Sequence, residues 1–554
     1  MNSPAHEQAE EFLNRETEFH LGFLPTEQSN PLTRHLDRAF LSGSADGVRV
    51  LQLPDRDVLA MVRRILNTPL FRQMADEGFR TVEAGGRIVF SGCGATGRLS
   101  ILLESIWREF IAGKSELRRY AESVLSIMTG GDFALVRSVE SFEDHQCFGR
   151  RQVADLGMGP ADLLVAITEG GETSSVIGTV KEAADRGSKV FLLFNNPAEL
   201  LRKRLVRCRE VIEDPRVRVV DLFCGPMALA GSTRMQATTS EQLVAGAMLE
   251  SIAAHLQNRP ETDFATGFET VLNHLESKEM IDLMAAHIDF EAALYRRQGK
   301  VTYFAADYLL DIFTDTTERA PTFMLPPFRA RGDHASPPSW AFVKNPLLPT
   351  RETWQKMLLR TPRCLDWKRA DYLAMGVGGR LADNPPQIGA EDLYRMEVGN
   401  EPAPERSAGP FDAAVLVEVA GAPQNPALEK AFEHVAGSFR NRRTLAIASG
   451  APDTPLHLLN HMALKLALNT ISTGTMVKLD RVTGNWMSWV SVSNKKLTDR
   501  AIRLIAELSE IPYRDACHAL FESIEAMKQE QWVGGEPPSP VQYTLRKLRE
   551  KKLK

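Results

Sequence analysis

Arg87-Ile88-Val89-Phe90-Ser91-Gly92-Cys93-Gly94-Ala95-Thr96-Gly97-Arg98 passes from a short apolar run, through a glycine loop, into a helical pattern that lasts to Phe110. Glycines at a strand-to-helix turn let the backbone come close to a ligand. The helix start adds unpaired N–H groups and the positive end of a dipole. This is an anion cradle suited to phosphate, with Gly94, Ala95, Thr96 and Gly97 as candidate binding residues and the Thr96 hydroxyl as a further donor. A plain βα turn has the same spacing, and so does a dinucleotide loop. Against the dinucleotide, the next strand candidate ends in Met128-Thr129-Gly130, without the acidic residue such sites place there.

Outward from this loop the same alternation repeats. Residues 123–128 form a strand candidate ending at Gly130-Gly131, 162–167 one followed by Gly170-Gly171, and 189–194 one closed by Asn195-Asn196-Pro197. Strands spaced by helical stretches, each ending in a turn signal, predict βαβ units and a parallel sheet with helices on both faces. The second half repeats the pattern, with strand candidates at 301–305, 371–375, 414–419 and 444–448. The fold class is therefore α/β, two parallel-sheet sandwiches of similar plan arising by internal duplication, followed by a helical region from His457. The stretches 326–349 and 398–410, rich in Pro, Gly and charge, are expected to be loops or insertions. The boundaries expected are an N-terminal segment over 1–60, a first domain over 61–270, a second over 271–455 and the helical region over 456–554. A length of 554 residues suits two to four domains.

Two further loops carry phosphate-binding chemistry. Thr168-Glu169-Gly170-Gly171-Glu172-Thr173-Ser174-Ser175 follows the third strand, and Thr168, Gly170 and Thr173 are its candidates. N-capping by Thr173 or Ser174 would explain it more plainly. Gly231-Ser232-Thr233-Arg234-Met235 precedes a long apolar helix; Ser232 and Thr233 could cap that helix or bind phosphate, and Arg234 could serve a phosphate or an ion pair.

Composition excludes several classes. A net charge of -5, with 43% hydrophobic and 25% charged residues, is ordinary globular chemistry and argues against nucleic acid as a partner. The one basic run, the tail 546–554, carries no function in this reading. No apolar stretch approaches the roughly 20 residues of a membrane span, and the polar, acidic start is not a secretory signal. Six scattered cysteines and twelve dispersed histidines point to reduced thiols in the cytoplasm and to no metal site. No cofactor is implied.

Gly94-Ala95-Thr96-Gly97-Arg98, Glu140-Ser141-Phe142-Glu143-Asp144 and Gly231-Ser232-Thr233-Arg234-Met235 come in the order of the N-acetylmuramic acid 6-phosphate etherase motifs. Ile471-Ser472-Thr473-Gly474-Thr475-Met476-Val477 and Ser493-Asn494-Lys495-Lys496-Leu497 match that family's end. Thr26-Glu27-Gln28-Ser29-Asn30-Pro31-Leu32-Thr33 resembles the opening of the glucokinase regulatory protein, whose double-length plan this chain shares. The sequence is therefore similar to the SIS (sugar isomerase) proteins of these two kinds over nearly its whole length.

The resemblance implies a sugar phosphate as ligand. It makes Glu143 the base that removes the proton beside the sugar carbonyl. The second family glutamate is missing from the first repeat, where Ile106 stands near its place and Glu104 lies two residues off, roughly 200° around the helix. Asp315-Thr316-Thr317-Glu318-Arg319-Ala320-Pro321-Thr322-Phe323 of the second repeat resembles the family's segment and puts Glu318 there. The second repeat has in turn lost its glycine loop, with Ala305-Ala306-Asp307-Tyr308-Leu309 in its place. One composite site is expected, with phosphate loops and Glu143 from the first domain and Glu318 from the second. Paired carboxyls of that kind can serve as base and acid. Ion pairing of Glu143 with a nearby arginine, and of Glu318 with Arg319 or Arg329, is the structural alternative. Lys496 and Arg500, one turn apart on a helix, match cations near the regulatory protein's sugar phosphate. The second loop departs from the etherases, which carry an arginine where Glu172 stands. With Glu169 it places two acids near the phosphate, costly unless they face sugar hydroxyls or solvent.

Three readings follow: a lyase eliminating D-lactate from N-acetylmuramic acid 6-phosphate, a non-catalytic sugar-phosphate sensor regulating a sugar kinase, and an aldose–ketose isomerase with Glu241 as base. A monomer whose two domains form an internal pseudo-dimer is the expected state.

Overall fold

The computed structural model describes residues 3–139, 141–421, 425–530, 532 and 536–552. Glu140 of the Glu-Asp motif, the peptide 422–424 and the last two residues of the basic tail lie outside them. The first sheet contains β1 (Ile88–Gly92), β2 (Val124–Met128), β3 (Leu163–Ile167), β4 (Lys189–Phe194) and β5 (Val217–Asp221). All pairings are parallel and the order is β2-β1-β3-β4-β5. The strands β1 to β3 are buried along their whole length, which is why they read as unbroken apolar runs rather than as alternation.

The second sheet contains β6 (Val301–Phe304), β7 (Ala341–Lys344), β8 (Ala413–Val419) and β9 (Asn441–Ile447) in the order β7-β6-β8-β9, again all parallel. Counted within its own half, that is second-first-third-fourth, the same arrangement as the first sheet without a fifth strand. Two expectations are corrected. The segment 371–375 is not a strand: Arg369–Ala374 is a short helix, started by the Asp371 carboxylate accepting from the Lys368 amide at 2.8 Å. The second strand of this half is instead Ala341–Lys344, inside the stretch 326–349 expected to be loop; four buried residues between Pro and Gly clusters were too short to stand out.

Six helices position the site: α1 (Ala95–Ile111), α2 (Ser174–Asp185), α3 (Gln236–Leu256), α4 (Leu309–Phe323), α5 (Leu458–Lys478) and α6 (Lys495–Ser509). The helices α3 and α5 are buried almost all round and pack on each other; α5 also packs on α4. A helix apolar on every face belongs to an interior, and here that interior joins the two halves. The apolar side chains of both halves form one continuous core. A small antiparallel hairpin, β10 (Val482–Thr483) with β11 (Trp486–Met487), leads into α6. Among the described residues no helix is long and apolar enough to cross a membrane.

Candidate functional site

In sheets of this order, ligands bind outside the carboxyl ends of the strands where the order reverses, here between β1 and β3. A cavity of about 510 Å³ opens there. From the end of β1 it takes Cys93, Gly94 and Ala95. Gly94 has φ 58°, and a Cβ placed on it would meet nothing within 4 Å, so the loop turns bare backbone to the cavity at the start of α1. Thr96 is a correction. Its Oγ1 accepts from the Cys93 amide and donates to the Cys93 carbonyl, both at 3.0 Å, and it is fully buried, so it shapes the loop rather than facing a ligand. Gly97 also turns inward, where a Cβ would lie 2.7 Å from Met128 Cγ.

From the second loop, Glu169 and Thr173 line the cavity. Thr168 and Gly170 do not: the Thr168 hydroxyl donates to Thr173 Oγ1 at 3.1 Å, and Gly170 makes room for the Glu172 carboxylate. The third loop contributes Gly231, Ser232, Thr233 and Arg234. Among the described residues the buried Ser232 hydroxyl has no hydrogen-bond partner, an arrangement native proteins avoid unless a ligand or water completes it. Arg234 is held elsewhere, donating to Asp315 at 3.1 Å and to Ser472 and Thr473 at 3.0 Å. It is an ion pair between the halves.

Glu143 lies in the short turn Phe142–Asp144, entered through Ser141 at φ 64°. Phe142 is buried among Phe148, Trp367 and Tyr372, and this aromatic cluster fixes the turn. Asn494 donates from Nδ2 to Glu143 Oε1 at 2.7 Å while its Oδ1 accepts from the Leu497 amide at 2.8 Å, capping α6. One residue therefore starts the C-terminal helix and aims the carboxylate. Burial pushes the Glu143 carboxyl up; Lys496 opposes this, Asp144 and Glu172 add to it, and Arg500 opposes it.

Glu318 reaches the same cavity from α4 with Pro321 and Thr322. Among the described residues no hydrogen bond or ion pair reaches its carboxyl; Arg319 pairs instead with Asp315 and Glu291. Burial pushes the Glu318 carboxyl up, against the positive charges of Arg98, Arg234 and Lys465. Lys465 lines a smaller cavity that also contains Glu318. Its ammonium is pushed down to about 8 by burial, with Glu318 opposing. The structure thus brings the two glutamates, one from each half, to one cavity.

Lys496 and Arg500 line it too, but each is already paired. Lys496 donates to Glu172 Oε1 at 2.6 Å. Arg500 makes two bonds to Glu27, at 2.7 and 3.0 Å, which Arg503 joins at 2.8 Å. Glu27 belongs to the Thr26–Thr33 motif, now seen as a strap over the first sheet: Thr26 bonds Asn196, and Asn485 bonds both Asn30 and Thr33. Glu241, the isomerase candidate, is fully buried, bonded to Asn195 at 3.0 Å, and absent from the cavity. Glu104 is buried in an ion cluster with Arg108, Arg360 and Arg363. Asn494 and Glu27 escaped the sequence reading. A cap signature before α6 marks Asn494, whereas nothing local marks Glu27.

Residues 72–184 match the family model of the glucokinase regulatory protein N-terminal SIS domain. An N-acetylmuramic acid 6-phosphate etherase from Yersinia pestis is 30% identical over 224 residues, 40% of this chain and 68% of that protein. N-acetylmuramic acid 6-phosphate etherase 1 of Bacillus licheniformis is 29% identical over 225 residues, 41% of this chain and 67% of that one. Among solved structures, the tagatose-6-phosphate ketose/aldose isomerase of Escherichia coli superposes over 81% of this chain and 96% of its own, with a TM-score of 0.39 and 11% identity, too slight a likeness to bear on the site.

Proposed function

Because the chain belongs to the N-acetylmuramic acid 6-phosphate etherase family of SIS proteins, we propose that it eliminates D-lactate from an N-acetylmuramic acid 6-phosphate-type sugar. The observation that carries this reading is the meeting of Glu143 and Glu318, from different halves, beside an open helix-start cradle. The phosphate sits against the Gly94-Ala95 backbone and the orphaned Ser232 hydroxyl. Glu143, supported as a carboxylate by the Asn494 amide and by Lys496, removes the proton on carbon next to the sugar carbonyl. Glu318, buried and with no hydrogen bond to its carboxyl among the described residues, is placed to give a proton to the departing lactate oxygen as the C–O bond breaks. The C–H electron pair becomes the new double bond. Incubation with N-acetylmuramic acid 6-phosphate releases D-lactate from the wild type and about 10²–10⁴-fold less from Glu143→Gln, which still shows a thermal shift with the sugar phosphate. Lactate from the variant at the wild-type rate sinks the assignment of Glu143.

One observation favours a second reading, a sensor that binds a sugar phosphate and acts on a partner such as a sugar kinase. Lys496, Arg500 and Arg234 each carry a carboxylate partner, which leaves Arg98 as the lining cation without one among the described residues. A lactyl carboxylate would find little free positive charge. A clear thermal shift with N-acetylglucosamine 6-phosphate and no lactate from the wild type selects the sensor.

A further inference from the structure

Glu169 is the one carboxyl of the cavity that neither proposed role uses. It follows β3 at the reversal of strand order, is nine-tenths buried, and still lines the cavity. Its own backbone amide is a hydrogen-bond donor to its carboxyl, and among the described residues no ion pair reaches it. The titratable and charged groups that face it are Lys496 on α6, Glu172 in its own loop, Glu318 on α4, Glu241 on α3, Cys93 after β1 and Arg98 on α1. Of the two cations, Lys496 is committed to Glu172, and Arg98 is fully buried with one bond to the Leu135 carbonyl. Burial pushes the Glu169 carboxyl up to about 7, with Lys496 opposing. An anion entering this cavity adds negative charge beside a carboxyl that has no counter-ion of its own, and like charge favours the protonated form.

We propose that Glu169 is a ligand contact that meets the bound sugar phosphate as a neutral carboxylic acid, so that the site takes up one proton from solvent together with its anion. The O–H then donates to the anion or to a sugar hydroxyl, where a carboxylate would repel it. The balance is simple: Glu169–COO⁻ and H⁺ give Glu169–COOH on binding, and the reverse on release. This holds for a lyase and for a sensor alike, and it rests on the reading of the cavity as a sugar-phosphate site.

The test uses the full chain and N-acetylglucosamine 6-sulfate, an anion that does not itself titrate near neutrality. Binding heats at pH 6 and pH 8, each in two buffers of different ionisation enthalpy, give the protons exchanged. The wild type takes up close to one proton at pH 8 and close to none at pH 6, and its Kd rises about tenfold per pH unit over pH 7.5 to 8.5 by linkage. Glu169→Gln and Glu169→Ala take up none at either pH, and Glu169→Gln binds at pH 8 as it does at pH 6. Equal uptake by wild type and both variants overturns the assignment to Glu169. Absence of any binding by the folded wild type overturns the sugar-phosphate site itself, and this inference with it.

Discussion

The two sheets share one strand order, yet their first loops have opposite characters. After β1, Gly94 takes φ 58° and leaves open space above the start of α1. At the matching place after β6, Tyr308 takes φ 53°, and its ring packs on His461 with centroids 4.7 Å apart. A bulky side chain in the left-handed region is uncommon and strained; the positive φ is shared, but ψ is 21° at Tyr308 against -121° at Gly94, and a ring stands where the first loop is open. The second mouth is a cavity of about 250 Å³ lined by Asp307, Glu418 and Glu429 and, among the described residues, by no lysine or arginine, which does not suit phosphate. What the second half still offers is the helix behind the loop, and through it Glu318. On the proposed reading, the first half binds the anion and the second supplies Glu318.

That comparison breaks most sharply at the glutamates. If each half supplies one group, Glu143→Gln and Glu318→Gln each lower lactate release by about 10²–10⁴, and the double variant is scarcely worse than either, because groups acting as a unit are not additive. A double variant lower by the product of the two would separate their roles. The next largest effect concerns the strap found on the first half. Glu27 is held down to about 2: burial would raise it, but the Arg500 and Arg503 guanidiniums outweigh that. A depressed value means that the stabilisation is fully present above the ordinary value of 4.5 and is lost as pH falls from there through about 2. Glu27→Gln leaves the buried Arg500 without its carboxylate and Arg503 with Asp499 alone, and should cost about 3–5 kcal/mol at pH 7 in denaturant melts, with the difference from wild type vanishing towards pH 2.

Smaller effects sharpen the loops themselves. Gly94→Ala forces alanine into the left-handed region at a cost of about 1 kcal/mol or more and puts a methyl group into the cradle. Calorimetry should show N-acetylglucosamine 6-phosphate bound about tenfold more weakly. Tyr308→Gly, by contrast, should change the melting temperature and leave that affinity unaltered; a second binding event would show that the second mouth is still competent. Smallest is Glu172→Gln, which frees Lys496. Affinity for the same sugar phosphate should rise a few-fold in low salt and less in high salt, since exposed or partly exposed pairs are screened.

Much of this was written locally. Buried parallel strands are short apolar runs closed by glycine or asparagine, so β1 to β4, β6, β8 and β9 could be read, as could the three loops and both catalytic candidates from their motifs. The strand β5 mixes charge with valine (Val217-Arg218-Val219-Val220-Asp221) and sits at a sheet edge, and β7 is four residues between prolines and glycines; neither carries a run long enough to notice. The direction of Thr96, the pairing of Lys496 with Glu172 and of Arg500 with Glu27, and the isolation of Glu169 depend on which segments meet in space. Arg500 looked free because its partner is at the other end of the chain.

The contact between Arg500 and Glu27 spans 473 residues. A ribosome adding roughly 5–20 residues per second would leave Glu27 waiting for about half a minute to a minute and a half after its own synthesis. Asn494, Lys496 and the arginines that hold the strap, Arg500 and Arg503, all come from the last hundred residues, so the first half can finish folding only after the second has been made. A nascent chain stalled near residue 450 would display a formed sheet with an unroofed mouth and an unpaired acid. It is at that stage of its synthesis that the protein would most need a chaperone.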